Sequence, residues 1–182
     1  MLSDTKNQIF AEIIKRSLLL RIGQHSVVLI KKRVADGIFL EGSSDGASQY
    51  STKPFAMPTG AIMPRSLMLN IIKGKKADDT KLFKSGSGKL WAVITKGYKW
   101  LREQAGKPSG KVDMRWTSEL MRSLMVLSVD PEEGTITIGH KGARNDKLAY
   151  WHNVTGAGKG KKIRKWLLLT NEELKNIGDV NL

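Results

Sequence analysis

The sequence predicts an α+β fold: a long N-terminal helix, short helices packed on an antiparallel β-sheet, and an extended loop or arm between them. Three observations carry that prediction. Apolar residues recur at helical spacing through the first 35 positions, a Pro/Gly/Ser-rich stretch covers residues 41–64, and two alternating apolar runs flank Asp130-Pro131-Glu132-Glu133-Gly134 as in a β-hairpin.

In order along the chain, Ile9, Phe10, Ile13, Ile14, Ser17 and Leu19 or Leu20 give a helix over residues 3–22, with Ser3 or Asp4 as N-cap and Gly23 as its stop. A second helix runs from residue 24 to 35 through Val27, Val28, Ile30 and Val34 and closes at Asp36-Gly37. Residues 41–64 hold six serines or glycines in their first half, with Pro54, Pro58 and Pro64 later, so regular elements are not expected there. Tyr50, Phe55 and Met57 lie inside this stretch and make it a candidate inter-subunit arm, the alternative being that it folds back on its own core, because a purely solvated linker rarely carries aromatics. Residues 73–89 are a second polar, Gly/Lys-rich excursion, followed by a short buried strand at residues 90–94. A brief helix at 97–104 ends before Gly106 and Pro108. A helix at 117–124, capped by Thr117 or Ser118, leads into the hairpin strands 125–129 and 135–139, with Ile136 and Ile138 on one face. Residues 148–154 read as a strand or short helix and 163–169 as another strand. Thr170-Asn171-Glu172-Glu173 then opens a final helix stopped by Gly178. The organisation expected is a helical region (1–40), a loop or arm region (41–89) and an α+β core (90–182), forming one domain overall.

The chain has 182 residues, 31 Lys plus Arg against 17 Asp plus Glu, a formal net charge of +14, and no cysteine. Disulfides, thiolate nucleophiles and Cys-based metal sites are thereby excluded. The charge favours a polyanion or an acidic protein surface as neighbour. Lys159, Lys161, Lys162, Arg164 and Lys165 form the densest basic cluster and are the candidate contacts to such a partner. No signal-like N-terminus and no apolar run of spanning length is present, so no membrane is expected as partner and synthesis in the cytoplasm is.

Catalytic chemistry is not expected. The histidines are His25, His140 and His152, and none stands in a nucleophile motif. Trp151 and His152 read as structural residues, partly buried at the edge of the C-terminal sheet, with no catalytic role. Two Gly-Lys stretches, 85–90 and 156–161, resemble a phosphate loop only superficially. Phe83 stands where the first one needs glycine, and Leu90 stands where a magnesium-binding hydroxyl belongs. The paired carboxylates at 78–79, 132–133 and 172–173 fall in a loop, a turn and a helix start. No metal and no cofactor is assigned.

Four segments in order resemble the phage virion morphogenesis and tail-completion family: Thr117-Ser118-Glu119-Leu120-Met121-Arg122-Ser123-Leu124; Ile136-Thr137-Ile138-Gly139; Leu148-Ala149-Tyr150-Trp151-His152-Asn153-Val154-Thr155-Gly156; and Arg164 followed by Leu167-Leu168-Leu169-Thr170-Asn171-Glu172-Glu173-Leu174. Val34-Ala35-Asp36-Gly37, Tyr50-Ser51-Thr52-Lys53-Pro54, Gly97-Tyr98-Lys99 and Lys111-Val112-Asp113 resemble pieces of phage neck or tail proteins of this kind. Ser118 stands for the usual glycine, Ala149-Tyr150 inverts the usual order, and Lys165-Trp166 stands where Arg-Pro-Phe is expected. The resemblance implies a structural virion protein, a ring-forming tail-completion or head-tail connector (neck) component. Its implied partners are further copies of itself, portal or adaptor and tail-tube proteins, and packaged DNA contacted non-specifically. The rival reading is a basic nucleic-acid-binding module, with Trp100 beside Lys99 and Arg102, and Trp166 beside Lys165, as base-stacking candidates.

Overall fold

The computed structural model describes residues 2–59, 67–69, 79–114, 118–157 and 161–181, with side chains in the first helix from Gln8 onward. It is α+β, as the sequence predicts. The chain divides into two compact units, Met1–Ser48 with Asp113–Leu182, and Gln49–Val112. The second interrupts the first in sequence, and their edges fall at residues 48–49 and 112–113 rather than at the expected boundaries at residues 40 and 89. Thr117, residues 60–64 and 73–78, and Lys159, each part of an expectation from the sequence, lie outside the described residues.

In the first unit, α1 (Leu2–Ala35) is one uninterrupted helix where two were expected. Gly23 does not stop it. A Cβ on Gly23 would lie 2.7 Å from Val126 Cγ2 and 2.8 Å from Ile136 Cγ2, so the residue is small because the hairpin approaches the helix backbone there. Helix α1 ends at Asp36-Gly37 as expected. Ile38 N donates to Arg33 O (3.1 Å), Gly37 N donates to Val34 O (3.0 Å), and Gly37 has φ 67°, the geometry of a Schellman cap.

Helix α3 (Glu119–Ser123) runs directly into the hairpin of β4 (Leu124–Asp130) and β5 (Thr135–His140), antiparallel with a bulge between Val126 and Ser128. Ser118 sits at the N-cap of α3 without a side-chain capping bond. Residues 148–154 are helical: α4 (Ala143–Tyr150) continues as a π-turn over Trp151–Thr155. Helix α5 (Asn171–Asn181) is opened by a reciprocal capping box, in which Glu173 N donates to Thr170 Oγ1 (3.1 Å) and Thr170 N to Glu173 Oε2 (2.8 Å). It continues through Gly178 rather than ending there.

The core of this unit gathers Val27, Ile30 and Val34 of α1, Leu120, Met121 and Leu124, Ala149 of α4, and Trp166. Residues 163–169 are not a strand. Their backbone bonds go to side chains and to the loop after α1: Leu40 N donates to Lys165 O (2.8 Å), Ser44 N to Ile163 O (3.0 Å), and Trp166 N to Asn153 Oδ1 (2.8 Å). The first part of the expected arm is thereby fastened to its own unit.

In the second unit, β1 (Phe55–Pro58), β2 (Thr80–Lys84) and β3 (Leu90–Ile94) form an antiparallel sheet in the order β1-β3-β2, and α2 (Gly97–Gln104) follows. Strand β3 and helix α2 occupy the expected positions. Strands β1 and β2 arise inside stretches read as loop and excursion. Central strand β3 buries Ala92 and Ile94, and Met57 of β1 is buried as well. Phe55 and Tyr50 lie against Tyr98, with ring centroids 5.8 Å and 5.5 Å apart, and Arg102 stacks its guanidinium over Tyr50 at 4.4 Å. Tyr50, Phe55 and Met57 therefore anchor residues 50–58 to their own sheet and helix, the arrangement of the fold-back alternative to an inter-subunit arm. The packing requires a glycine at 97, which has φ 80° and lies against the backbone of Ser51 and Thr52.

Candidate functional site

The densest polar arrangement in the first unit surrounds Trp166. Helix α3 and strand β5 are brought together by the short α3–β4 junction, which sets Ser123 Oγ 2.8 Å from His140 Nδ1. The two residues are 17 positions apart and share no motif, so no sequence pattern signals the pair. A serine beside a histidine invites a nucleophile reading, but the bonding runs the wrong way. Ser123 Oγ donates to Leu120 O (2.8 Å), so its remaining partner, His140 Nδ1, is the donor to the hydroxyl and not a base drawing its proton. His140 is buried, and its ring lies edge-on to Trp166 at 5.3 Å. Burial lowers its pKa against the opposing attraction of Asp146. The pair holds α3 to β5.

Beneath it, Asn153 of the π-turn accepts from both Trp166 N and Leu167 N through one carbonyl oxygen (2.8 and 3.1 Å) and donates to Ala149 O (2.8 Å). His152 is half-buried, as expected, on the π-turn rather than at a sheet edge, and its carbonyl accepts from Arg164 N. Trp151, expected to be partly buried at a sheet edge, is instead exposed on the π-turn, with Lys147 over its ring at 5.3 Å.

Of the basic cluster, Lys161 is exposed. Lys162, Arg164 and Lys165 are half-buried, with two of the cations turned onto the chain: Lys162 Nζ donates to Gly46 O (3.1 Å) and Arg164 Nε to Ala47 O (2.9 Å). Lys165 folds against Gly42, where a Cβ would lie 2.6 Å from its Nζ. These residues tie down the loop after α1, which reduces what they offer to a polyanion. The base-stacking candidates are also occupied, since Trp100 and Trp166 are both buried. Among the described residues no group of three or more His, Asp or Glu is placed to hold a metal ion, and no helix is long and apolar enough to cross a membrane.

Burial, helped by the nearby Arg164 cation, pushes the His152 pKa down from 6.5 to about 4. In the unfolded chain the imidazole binds its proton near pH 6.5, while the folded protein resists protonation until about pH 4. The unfolded state therefore holds more protons across that window, so stability is full above pH 6.5 and falls as the pH drops toward 4. The expected loss for the first unit between pH 7 and pH 5 is about 2 kcal/mol from His152, with His140 adding in the same direction. Urea unfolding of wild type and His152→Gln at the two pH values measures it. Equal losses in both proteins would show that His152 does not carry the effect.

No protein-family model, curated protein or solved structure matches the chain.

Proposed function

We propose that the chain is a structural component of a tailed-bacteriophage particle, a ring-forming tail-completion or head-tail connector subunit. One observation carries the reading. The four segments that resemble the tail-completion family are mutual neighbours in the first unit: α3 is joined to β5 through Ser123 and His140, β5 reaches Trp166, and the π-turn holds the chain at 166–167 through Asn153. Segments that resemble a family in the same order and also interlock as one core are a stronger sign than the same segments scattered. The chemistry of that core agrees with a scaffold, because its histidines and its Ser–His pair serve packing.

A ring follows from heterologous contacts whose rotation closes the circle, and each subunit then presents one face to its neighbour and another to the adjoining layer. A net charge of +14 suits a position beside packaged DNA or an acidic portal surface, since attraction to phosphates needs no base contact. The neighbours proposed are portal or adaptor and tail-tube proteins, and the location is the neck or upper tail. Antibody raised against the purified chain, applied to gradient-purified particles from a producing culture, is expected to label the head-tail junction in negative stain. Absence of the chain from purified particles, with the protein present in the lysate, would sink the reading.

A further inference from the structure

Helix α1 carries a second apolar face that its own unit does not use. Over residues 9–20 the exposed residues Ile9, Phe10, Ile13, Ile14 and Leu20 are between 42 % and 66 % accessible, in a molecule that buries Ile30 and Val34 of the same helix completely or nearly so. Phe10, Ile13, Ser17 and Leu20 are spaced three, four and three apart, the a/d rhythm of a helix–helix seam. At about 100° per residue this stripe centres roughly 100° around the axis from the face of Gly23, Val27, Ile30 and Val34 that meets the hairpin. Helix α5 runs along another side, fixed by Arg33 to Glu173 at one end and His25 to Asn181 at the other. The stripe occupies the remaining side, where Val28, 60 % exposed, continues it.

We propose that this stripe is the docking site for an acidic amphipathic helix of a different protein. Charge complementarity selects that occupant. In heptad terms Arg16 and Arg21 occupy the g and e positions that border the seam on opposite sides, and both are exposed. Lys32, farther along, is exposed on the same side of the helix. Glu12, the acidic residue within the stretch 8–22, sits toward the hairpin face and away from the seam. A partner helix laid in the stripe meets apolar residues in the middle and arginines at both edges, so carboxylates at its own flanking positions pair with them. A second copy of this chain does not fit as well, because it brings arginines to those edges from a protein of net charge +14. The docking surface stands on α1 alone and goes beyond the virion reading; neither requires the other.

The test uses the full chain and a synthetic helix of about three heptads with Leu at every a and d and Glu at every e and g, against a control with Lys at every e and g. Fluorescence anisotropy is expected to show the Glu peptide binding about tenfold or more tighter than the Lys peptide, the gap narrowing as salt is raised. Ile13→Asp should abolish binding while circular dichroism stays unchanged, since the side chain is exposed. The double change Arg16→Glu with Arg21→Glu should reverse the preference to the Lys peptide, a result that loss of folding cannot produce. Equal binding of both peptides, or no binding of either, overturns the proposal. So does self-association of the chain abolished by Ile13→Asp in sedimentation, which assigns the stripe to a second copy, or binding to phosphatidylserine vesicles without binding to the Glu peptide, which assigns it to a lipid surface.

Discussion

Replacing Trp166 with alanine is expected to destabilise the first unit by about 3–5 kcal/mol, the range for truncating a buried tryptophan in a core that cannot collapse around the gap. Trp166 is fully buried and is the largest side chain of that core. It touches elements that meet nowhere else in sequence: His140 of β5 lies edge-on to its ring, and its own backbone N–H is held by Asn153 of the π-turn. Removing the indole opens a cavity among Val27, Ile30, Val34, Leu120 and Leu124, most of them on elements locked by other contacts. Trp166→Phe separates volume from polarity. The indole Nε1 has no hydrogen-bond partner among the described residues, so phenylalanine loses part of the packing and no bond, and a markedly smaller cost than alanine is expected. Urea unfolding of both variants, followed by circular dichroism, measures the costs. A loss below about 1 kcal/mol for Trp166→Ala would mean that the core is centred elsewhere.

What was legible in the sequence follows from how local each determinant is. Helix α2, strand β3, the hairpin, the end of α1 and the capping box of α5 are each written within a few residues, by Gly37, by the turn at 130–134 and by Thr170 with Glu173, and they are found where expected. The misreadings share a physical cause. Gly23 looks like a helix stop because the methyl groups of Val126 and Ile136 that require a glycine there belong to a hairpin about a hundred positions away in sequence. Residues 163–169 look like a strand because they are apolar, yet their backbone partners are Asn153 and the loop at 40–44, not a neighbouring ladder. Tyr50 and Phe55 suggest a neighbouring subunit because their partners, Tyr98 and Arg102, lie on a helix over 40 residues later, and Met57 likewise faces Ala92 of a strand distant in sequence. The Ser123–His140 pair was invisible for the same reason. The exposed stripe on α1 stands apart: its apolar period was plain, but period alone does not distinguish a face turned to the chain's own core from one turned to another molecule.

Arg33→Ala is expected to cost about 3–5 kcal/mol, comparable to the loss of Trp166, because it breaks a buried ion pair from one side. Arg33 lies on the last turn of α1 and is buried, with 8 % of its surface exposed. Its Nε donates to Glu173 Oε1 at 2.8 Å, and its Nη2 donates to the carbonyls of Trp166 (3.1 Å) and Leu168 (2.5 Å). One guanidinium thus satisfies two carbonyls of a segment that forms no ladder and holds the first turn of α5, whose Glu173 is also half of the capping box. Alanine leaves Glu173 Oε1 and both carbonyls without this donor in a partly buried site, which is where most of the cost arises. Arg33→Lys keeps the charge but not the fork, so one ammonium cannot reach all three acceptors, and an intermediate loss is expected. Glu173→Gln should also destabilise, since it leaves Arg33 buried against a neutral amide. Because Arg33 bonds to the backbone of Trp166, the double variant Arg33→Ala with Trp166→Ala should cost less than the sum of the two single changes, both acting on one cluster. The double-mutant cycle from urea unfolding decides: strict additivity would show that the guanidinium and the indole stabilise the unit independently, and the account of 163–169 as a segment held jointly by these two side chains would have to be given up.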